Sequence, residues 1–462
     1  MAADDQTSVV TVLPAMISGL GVTVDDFYQS SWIINGYLLG YLVALPIVGR
    51  VADVYGHARI YAASLVVFMV GSALVAAAPG FNFLVAARAL QAVGGGAVVP
   101  VAMAIVVAEL PPSRRVMGLG AIAAASEAGA LLGPLWGGGI TELWGWRWVF
   151  WINLPMAAPF ALLAWRTAGR ERVRGVIDWA GAVLLGAALA VLTFALVDDP
   201  IEPRPLVATA ALLAGAAALG ALFVRHEARI DAPMLRLSML APRSVWVANV
   251  VNLLVGAGLI SALIGIPLFV NLVLVEEPLS GGLTLLRLTA AVPLGALAGG
   301  WLAERWTIRG TVSLGMLLAA GCFLGLQAWD RDLSEVLRSF PQIIGGFGFG
   351  LVIAPLSAAV LQRVGEDERA TAASWLTLSR VVGMLVGAAL LTSRGLGRFY
   401  ARAGGIEFGT PEFNALVAEA QVSTFREVFI AAAAVMLVGA AVALLLEATR
   451  REEGSDAWWT VG

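Results

Sequence analysis

The chain reads as a succession of long apolar runs broken by short polar segments rich in arginine, glycine and proline. A bilayer crossing needs roughly 17–25 apolar residues. Runs of about that kind are predicted at 7–21, 29–49, 60–78, 81–108, 116–142, 149–167, 176–197, 205–224, 244–273, 281–303, 308–329, 340–362, 370–393 and 424–446. The first is short for a full crossing. Backbone groups in hydrocarbon must find partners within their own segment, so each run is predicted to be a helix. The short alternating segments of a membrane barrel are absent. The pattern predicts an all-α integral membrane protein with fourteen transmembrane helices.

Composition agrees. Of 462 residues, 59% are hydrophobic and 13% charged, the latter about half the share of a soluble domain. Only lipid can solvate that much apolar surface. A net charge of −3 argues against a nucleic-acid partner. One cysteine, Cys322, excludes an intrachain disulfide, and His57 and His226 are too few and too distant in sequence for a zinc centre. No metal or other cofactor is expected. A Gly-x-Ser-x-Gly elbow and a phosphate-binding loop are both absent, which argues against a lipid-cleaving enzyme and against ATP-driven transport by this chain alone.

All basic residues are arginine, and their distribution sets an orientation. Loops on one side, with the C-terminal tail, hold eighteen arginines, against eight on the other. The arginine-rich side is expected to be cytoplasmic, with the C-terminus inside and the chain in the cell's plasma (inner) membrane. The N-terminal stretch carries Asp4 and Asp5, lacks a basic region and does not look like a signal peptide. The expectation is a first helix whose true start lies upstream; an interfacial half-helix is the alternative.

Gly49-Arg50-Val51-Ala52-Asp53 closes one predicted helix, with Gly56 and Arg59 following. Gly300-Trp301-Leu302-Ala303-Glu304-Arg305 closes another, with Arg309 following. The recurrence in matching loops suggests duplicated halves, a common transporter architecture. Here the chain resembles the major facilitator superfamily: Gly49, Asp53, Gly56 and Arg59 match its loop signature, while Val54, His57 and Ala58 depart from it. With Glu304 and Arg305 these residues are candidates for a gating loop.

A second match, Gly129 through Gly133, Pro134, Gly137 and Gly138, resembles the antiporter motif of drug/proton exporters. Glycines four apart admit a close neighbour helix, and Pro134 removes one backbone donor. Trp146-Arg147-Trp148-Val149-Phe150-Trp151-Ile152-Asn153-Leu154-Pro155 resembles the loop entering helix six of the fourteen-helix branch, and physically reads as an interfacial anchor of indoles. Asp178-Trp179-Ala180-Gly181 and Asp5-Gln6-Thr7 with Leu13-Pro14 are similar to that branch too. Ser126-Glu127-Ala128-Gly129, Ser379 through Gly387, and Arg394 through Tyr400 look like the actinobacterial triacylglyceride exporters.

That resemblance implies two six-helix bundles, 1–168 and 243–447, two additional helices with a linker at 169–242, and a cytoplasmic tail at 448–462. It also implies functional roles for Asp5, Glu127 and Arg380. Ionisable groups at membrane depth usually face a cavity or a partner. Glu127 is expected to alternate between an apolar setting and Arg380 and so to carry a proton; a static packing bridge is the alternative. Arg88, with Gln91 and Gly94, resembles the superfamily's Arg-x-x-Gln-Gly pattern. It reads as a proton relay, a cap on helix-one or helix-two backbone, or a snorkelling side chain. Asp5 is an intramembrane acid if helix one extends upstream, and otherwise solvated. Arg287 is expected to snorkel.

Asn35, Tyr37, Tyr41, Asn252, Asn271 and Trp375 are cavity candidates, with helix–helix hydrogen bonds as the competing role. So few charges imply an apolar central cavity. The expected activity is proton-coupled secondary active export of a lipidic or amphipathic substrate by alternating access. A multidrug/proton antiporter is the runner-up, and a lipid enzyme or non-transporting scaffold is the remaining alternative. The expected partners are the bilayer, a proton gradient and a hydrophobic small molecule or lipid. Residues 394–423 form an outside stretch expected to guide lipid or to meet an extracytoplasmic lipid-carrier protein, unless it is an ordinary loop.

Overall fold

A computed structural model describes residues 2–21, 31–168, 177–198, 204–230, 233, 236–274, 276–329, 334–361, 363, 369–403 and 411–447. Among them the chain is helical throughout. The first group of helices is α1 (Ala2–Gly19), α2 (Ser31–Tyr55), α3 (His57–Ala76), α4 (Phe81–Glu109), α5 (Pro112–Trp144), α6 (Trp146–Trp151) and α7 (Asn153–Thr167). Two more, α8 (Trp179–Leu196) and α9 (Leu206–Glu227), lead to the second group. That group is α10 (Arg243–Leu268), α11 (Pro278–Arg305), α12 (Ile308–Leu326), α13 (Glu335–Leu361), α14 (Arg369–Ala403) and α15 (Pro411–Ala443). Among the described residues, eleven helical stretches are long and apolar enough to cross a membrane, with α6 and α7 forming one of them. Shorter apolar stretches occur at Thr7–Gly19 and Trp32–Leu45.

The same packing occurs twice, and glycine makes it possible. In the first group α1 lies on α5, and α4 lies on both α2 and α3; in the second, α10 lies on α14, and α13 on both α11 and α12. A Cβ on Gly40 of α2 would sit 2.2 Å from the Ala89 carbonyl oxygen of α4. In the second group Gly295 of α11 bears the same relation, at 2.1 Å, to Phe347 of α13. Likewise Gly137 of α5 abuts the Ser8 carbonyl of α1, and Gly383 of α14 the Leu253 carbonyl of α10. Lipid tails are as apolar as leucine, so helices in a membrane associate by close packing of small residues. The repeat legible in two loops thus extends to matched small-residue seams.

The two groups meet along α5 against α11 and α2 against α14. At the α5–α11 crossing, a Cβ on Gly282 would lie 2.4 Å from the Pro134 carbonyl. Above it, at the arginine-poor end, Glu142 hydrogen-bonds Glu277 and accepts from the Leu279 backbone N–H. The pair α8–α9 packs mainly on itself, with α8 also touching α2 and α14. Asp178 caps α8 by accepting from the Gly181 N–H at 2.8 Å, and its Oδ1 lies 2.8 Å from His226 Nε2 at the end of α9.

Three expectations change. The stretch 394–423 is not one loop: α14 continues to Ala403 and α15 starts at Pro411. A helix of α14's 35 residues is about 52 Å long, well beyond a hydrocarbon core of about 30 Å. Residues 404–410 and the tail 448–462 lie outside the described residues. In the aromatic segment Trp146 is buried, its ring T-shaped against Phe150 and its Nε1 against Gly19. Only Trp148 and Trp151 are exposed. Arg287 pairs with Glu335 at the arginine-poor end, so its snorkelling ends on a carboxylate.

Two predictions follow from these contacts. Gly383→Val forces atoms into the Leu253 carbonyl and should cut the yield of folded protein in size-exclusion chromatography. Gly321→Val, where no atom lies within 4 Å of the added Cβ, should leave it unchanged. Desolvation and the neighbouring Glu277 charge hold the Glu142 carboxyl above its usual range, so rising pH should ionise Glu142 and loosen the α5–α11 end by repulsion. In Gly139→Cys protein, labelling by an impermeant thiol reagent should therefore rise more steeply with pH than in the same protein also carrying Glu142→Gln.

Candidate functional site

The polar centre of the first group is a fully buried cluster around Asp5 and Arg88, both at 2% exposure or less. Arg88 comes from α4 and donates through Nη1 to Asp5 Oδ2 at 2.7 Å and to Gln91 Oε1 at 2.5 Å. Its Nε donates to the Ile33 carbonyl of α2 at 3.5 Å. Asp5 Oδ1 accepts from Gln91 Nε2 and from Asn153 Nδ2 of α7, each at 2.9 Å. Ser72 of α3 accepts from the same two amides, at 2.7 and 3.3 Å. Five helices thus contribute to one network.

Sequence spacing explains how each group arrives. Arg88 and Gln91 are three apart on α4 and so share a face. Asp5 and Val9, four apart on α1, share the side toward Arg88, whereas Thr7 and Thr11, also four apart, share the side toward α5. Thr7 donates to the Ala130 carbonyl at 3.1 Å and Thr11 to that of Pro134 at 3.4 Å. The antiporter-like segment is therefore the surface on which α1 lies: Gly133, Pro134, Gly137 and Gly138 are buried and Gly129 is half-buried. Pro134 leaves its own carbonyl between α1 and α11.

An isolated arginine this deep would be costly, and the protein compensates it on every side. Besides the carboxylate, the Tyr37 ring lies 4.2 Å from the guanidinium carbon and the Phe150 ring 5.6 Å from it. Tyr37 stacks in turn on Tyr41, with ring centres 6.4 Å apart. Arg88 and Tyr37 line a narrow cavity where the two groups face each other, closed by Val9, Ile34, Leu263 and Met384. The space suits about one water molecule. The lining is apolar apart from the arginine and the phenol.

The other sequence candidates separate. Arg380 of α14 is half-buried, close enough to Tyr41 for its charge to act on the phenol, and follows Ser379, which donates to Asn249 Oδ1 at 2.9 Å. Glu127 and Asp53 have side chains outside the described residues, so the Glu127–Arg380 exchange stays an expectation. Asn252 donates its amide N–H to the Leu376 carbonyl at 2.6 Å and ties α10 to α14, the helix–helix role. Asn35 is buried, with no hydrogen-bond partner for its amide among the described residues, and Trp375 is half-buried against the core. In the loops, Gly56 has φ +96°, a conformation open to glycine, and lets α2 turn into α3 within one residue. Arg59 is half-buried, Gly49 has open space around it, Glu304 is exposed, and Arg305 stacks over its own Trp301 at 4.3 Å.

Asp5 and Arg88 were separate expectations with a solvated acid and a snorkelling arginine among the alternatives; burial and the 2.7 Å contact exclude both. Ser72 carries no signal in sequence, being one small polar residue in an apolar helix. Asn153 is visible only as a member of the aromatic motif. Breaking one partner of a buried pair costs about 3–5 kcal/mol. Arg88→Ala should therefore lower the thermal stability of the purified protein sharply. Arg88→Lys should fail to restore it, because a single ammonium cannot reach Asp5, Gln91 and the Ile33 carbonyl as a planar fork does.

Comparison with known proteins agrees with this architecture. The Major Facilitator Superfamily profile matches residues 1–388. The chain is 32% identical over 477 residues to a triacylglyceride transporter of Mycolicibacterium smegmatis, covering 96% of this chain and 85% of that one. A probable triacylglyceride transporter of Mycobacterium leprae is 31% identical, with 99% and 95% covered. Among solved structures, a bacterial homolog of the human lysosomal transporter Spinster, inward-facing and unoccupied, superposes with TM-score 0.66 at 16% identity over 97% of this chain and 96% of its own. The POT family transporter PepTSo superposes with TM-score 0.64 at 16% identity, over 96% and 95%. The chain is a multi-pass membrane protein and belongs to the Major Facilitator Superfamily.

Proposed function

We propose that this chain is a secondary active exporter that moves a lipidic, triacylglyceride-like substrate in exchange for protons by alternating access. The observation that carries the proposal is the Asp5–Arg88 pair, a titratable acid held against a fixed positive charge beside an apolar cavity between two helix groups. Asp5 can take a proton and give it back; Arg88 cannot in practice lose its own. When Asp5 is neutral, Gln91, the Ile33 carbonyl and the Tyr37 ring still hold the guanidinium. The guanidinium therefore keeps polar partners while Asp5 is protonated, although it has then lost its countercharge.

The cavity as it stands is far too small for a lipid, so substrate entry requires the two helix groups to part; its apolar walls and the relatives named triacylglyceride transporters support a hydrocarbon-rich class. In this proposal the chain forms a fourteen-pass protein of the plasma membrane with its arginine-rich side and C-terminus inside. Residues 1–168 and 243–447 are the moving bundles, with Glu127 in the first exchanging between an apolar setting and Arg380 in the second. The extended α14 and α15 lead substrate away from the bilayer surface, toward an extracytoplasmic lipid carrier.

Proteoliposomes with an imposed pH gradient test the proposal. Labelled triacylglyceride should move in wild-type vesicles and not without the gradient. Asp5→Asn should lose at least about tenfold in gradient-driven rate, equivalent to about 1.4 kcal/mol of barrier. Gradient-driven movement of a cationic dye with no lipid movement would replace this reading with the multidrug one.

A further inference from the structure

The hydrogen bonds around Asp5 are one-sided. Its two carboxylate oxygens receive three N–H donors, from Arg88, Gln91 and Asn153, and no group among those partners is set to accept from it. That arrangement suits the ionised acid only. A proton arriving on Asp5 needs an acceptor, and it adds best to Oδ1, the oxygen away from the guanidinium contact.

Three partners could adapt, and two are prevented. The guanidinium of Arg88 has no acceptor atom. Gln91 carries a carbonyl, but its Oε1 receives Arg88 Nη1 at 2.5 Å. Turning that amide would place its NH2 against the guanidinium, donor against donor. Asn153 is under neither restraint. Among the described residues its Nδ2 donates to Asp5 Oδ1 and to the Ser72 hydroxyl oxygen. A turn about the last side-chain bond puts its Oδ1 in that place, where it accepts from the protonated Asp5 and from the Ser72 O–H. Asn153 is 2% exposed and opens α7, with Ile152 before it already helical, so its backbone is held and a response to the proton falls on the terminal amide.

We propose that Asn153 is a positioning residue whose amide turns over with the proton on Asp5, donating to the carboxylate and accepting from the acid. This rests on the reading of Asp5 as the proton carrier. The protonation is balanced: Asp5 Oδ1 takes one proton from water, the amide rotates by half a turn, and Arg88 keeps its charge. Sequence spacing could not suggest this role, since Asn153 and Asp5 are 148 residues apart.

Infrared difference spectroscopy of the reconstituted full chain across a pH step tests it. Wild type should show a carboxylic-acid carbonyl band on acidification that is missing in Asp5→Asn. In Asn153→Val the band should move to higher wavenumber, because the acid O–H has lost its acceptor. In Asn153→Thr, whose hydroxyl donates or accepts, it should stay close to the wild-type position. An unmoved band in Asn153→Val overturns the role of Asn153 and leaves Asp5 as the carrier. No Asp5 band at all overturns both. If Asn153→Val does not fold, wild type with isotopically labelled asparagine decides: the labelled amide bands should change in the same pH step, and not in Asp5→Asn. Unchanged amide bands overturn the inference.

Discussion

A single buried charge pair organises the first half of this molecule. A guanidinium in the middle of a helix bundle has to be met by a carboxylate, by carbonyl oxygens and by aromatic faces, or the bundle does not form. Arg88 is met by all three, and the groups that meet it come from α1, α2, α4 and α6. The positions of those helices are therefore not independent. Any change in the charge of Asp5 alters what α4 and α7 hold, and Tyr37 and Arg88 carry that change to the face shared with the second half.

Around that centre the architecture is built by absence of side chains. The seams between α1 and α5, α2 and α4, and their counterparts in the second half all place a glycine against a neighbouring carbonyl. Close backbone approach replaces the hydrophobic drive that lipid removes. The antiporter-like segment of α5 belongs to this scheme: its small residues seat α1, and the carbonyl of Pro134 meets α11 across the divide. That segment thus holds Asp5's helix on one side and the opposite bundle on the other.

Much of this was legible in the chain. Hydropathy alone fixes the class, and the paired Gly49 and Gly300 loops indicate duplication. The Arg88–Gln91 spacing marks a polar face in an otherwise apolar helix. The association of Asp5 with Arg88 was not legible, because 83 residues separate them and periodicity carries no information about contacts between helices. For the same reason Asn252 looked like a cavity residue. An intramembrane asparagine has the same sequence signature whether it faces a substrate or bonds a neighbouring helix, and here it bonds Leu376. Helix ends were the other weak point: α14 runs through Arg394 to Ala403 because no proline interrupts it, although its hydropathy falls.

In the proposed cycle Asp5 is the group that exchanges protons as substrate moves. The most direct measurement is proton flux in the reverse sense: vesicles loaded with a pH indicator, no pH gradient, and an imposed gradient of labelled triacylglyceride. The account predicts that substrate movement drives proton movement in wild type. In Asp5→Asn, exchange of labelled for unlabelled substrate should persist while the proton signal disappears. A proton signal of wild-type size in Asp5→Asn would contradict it.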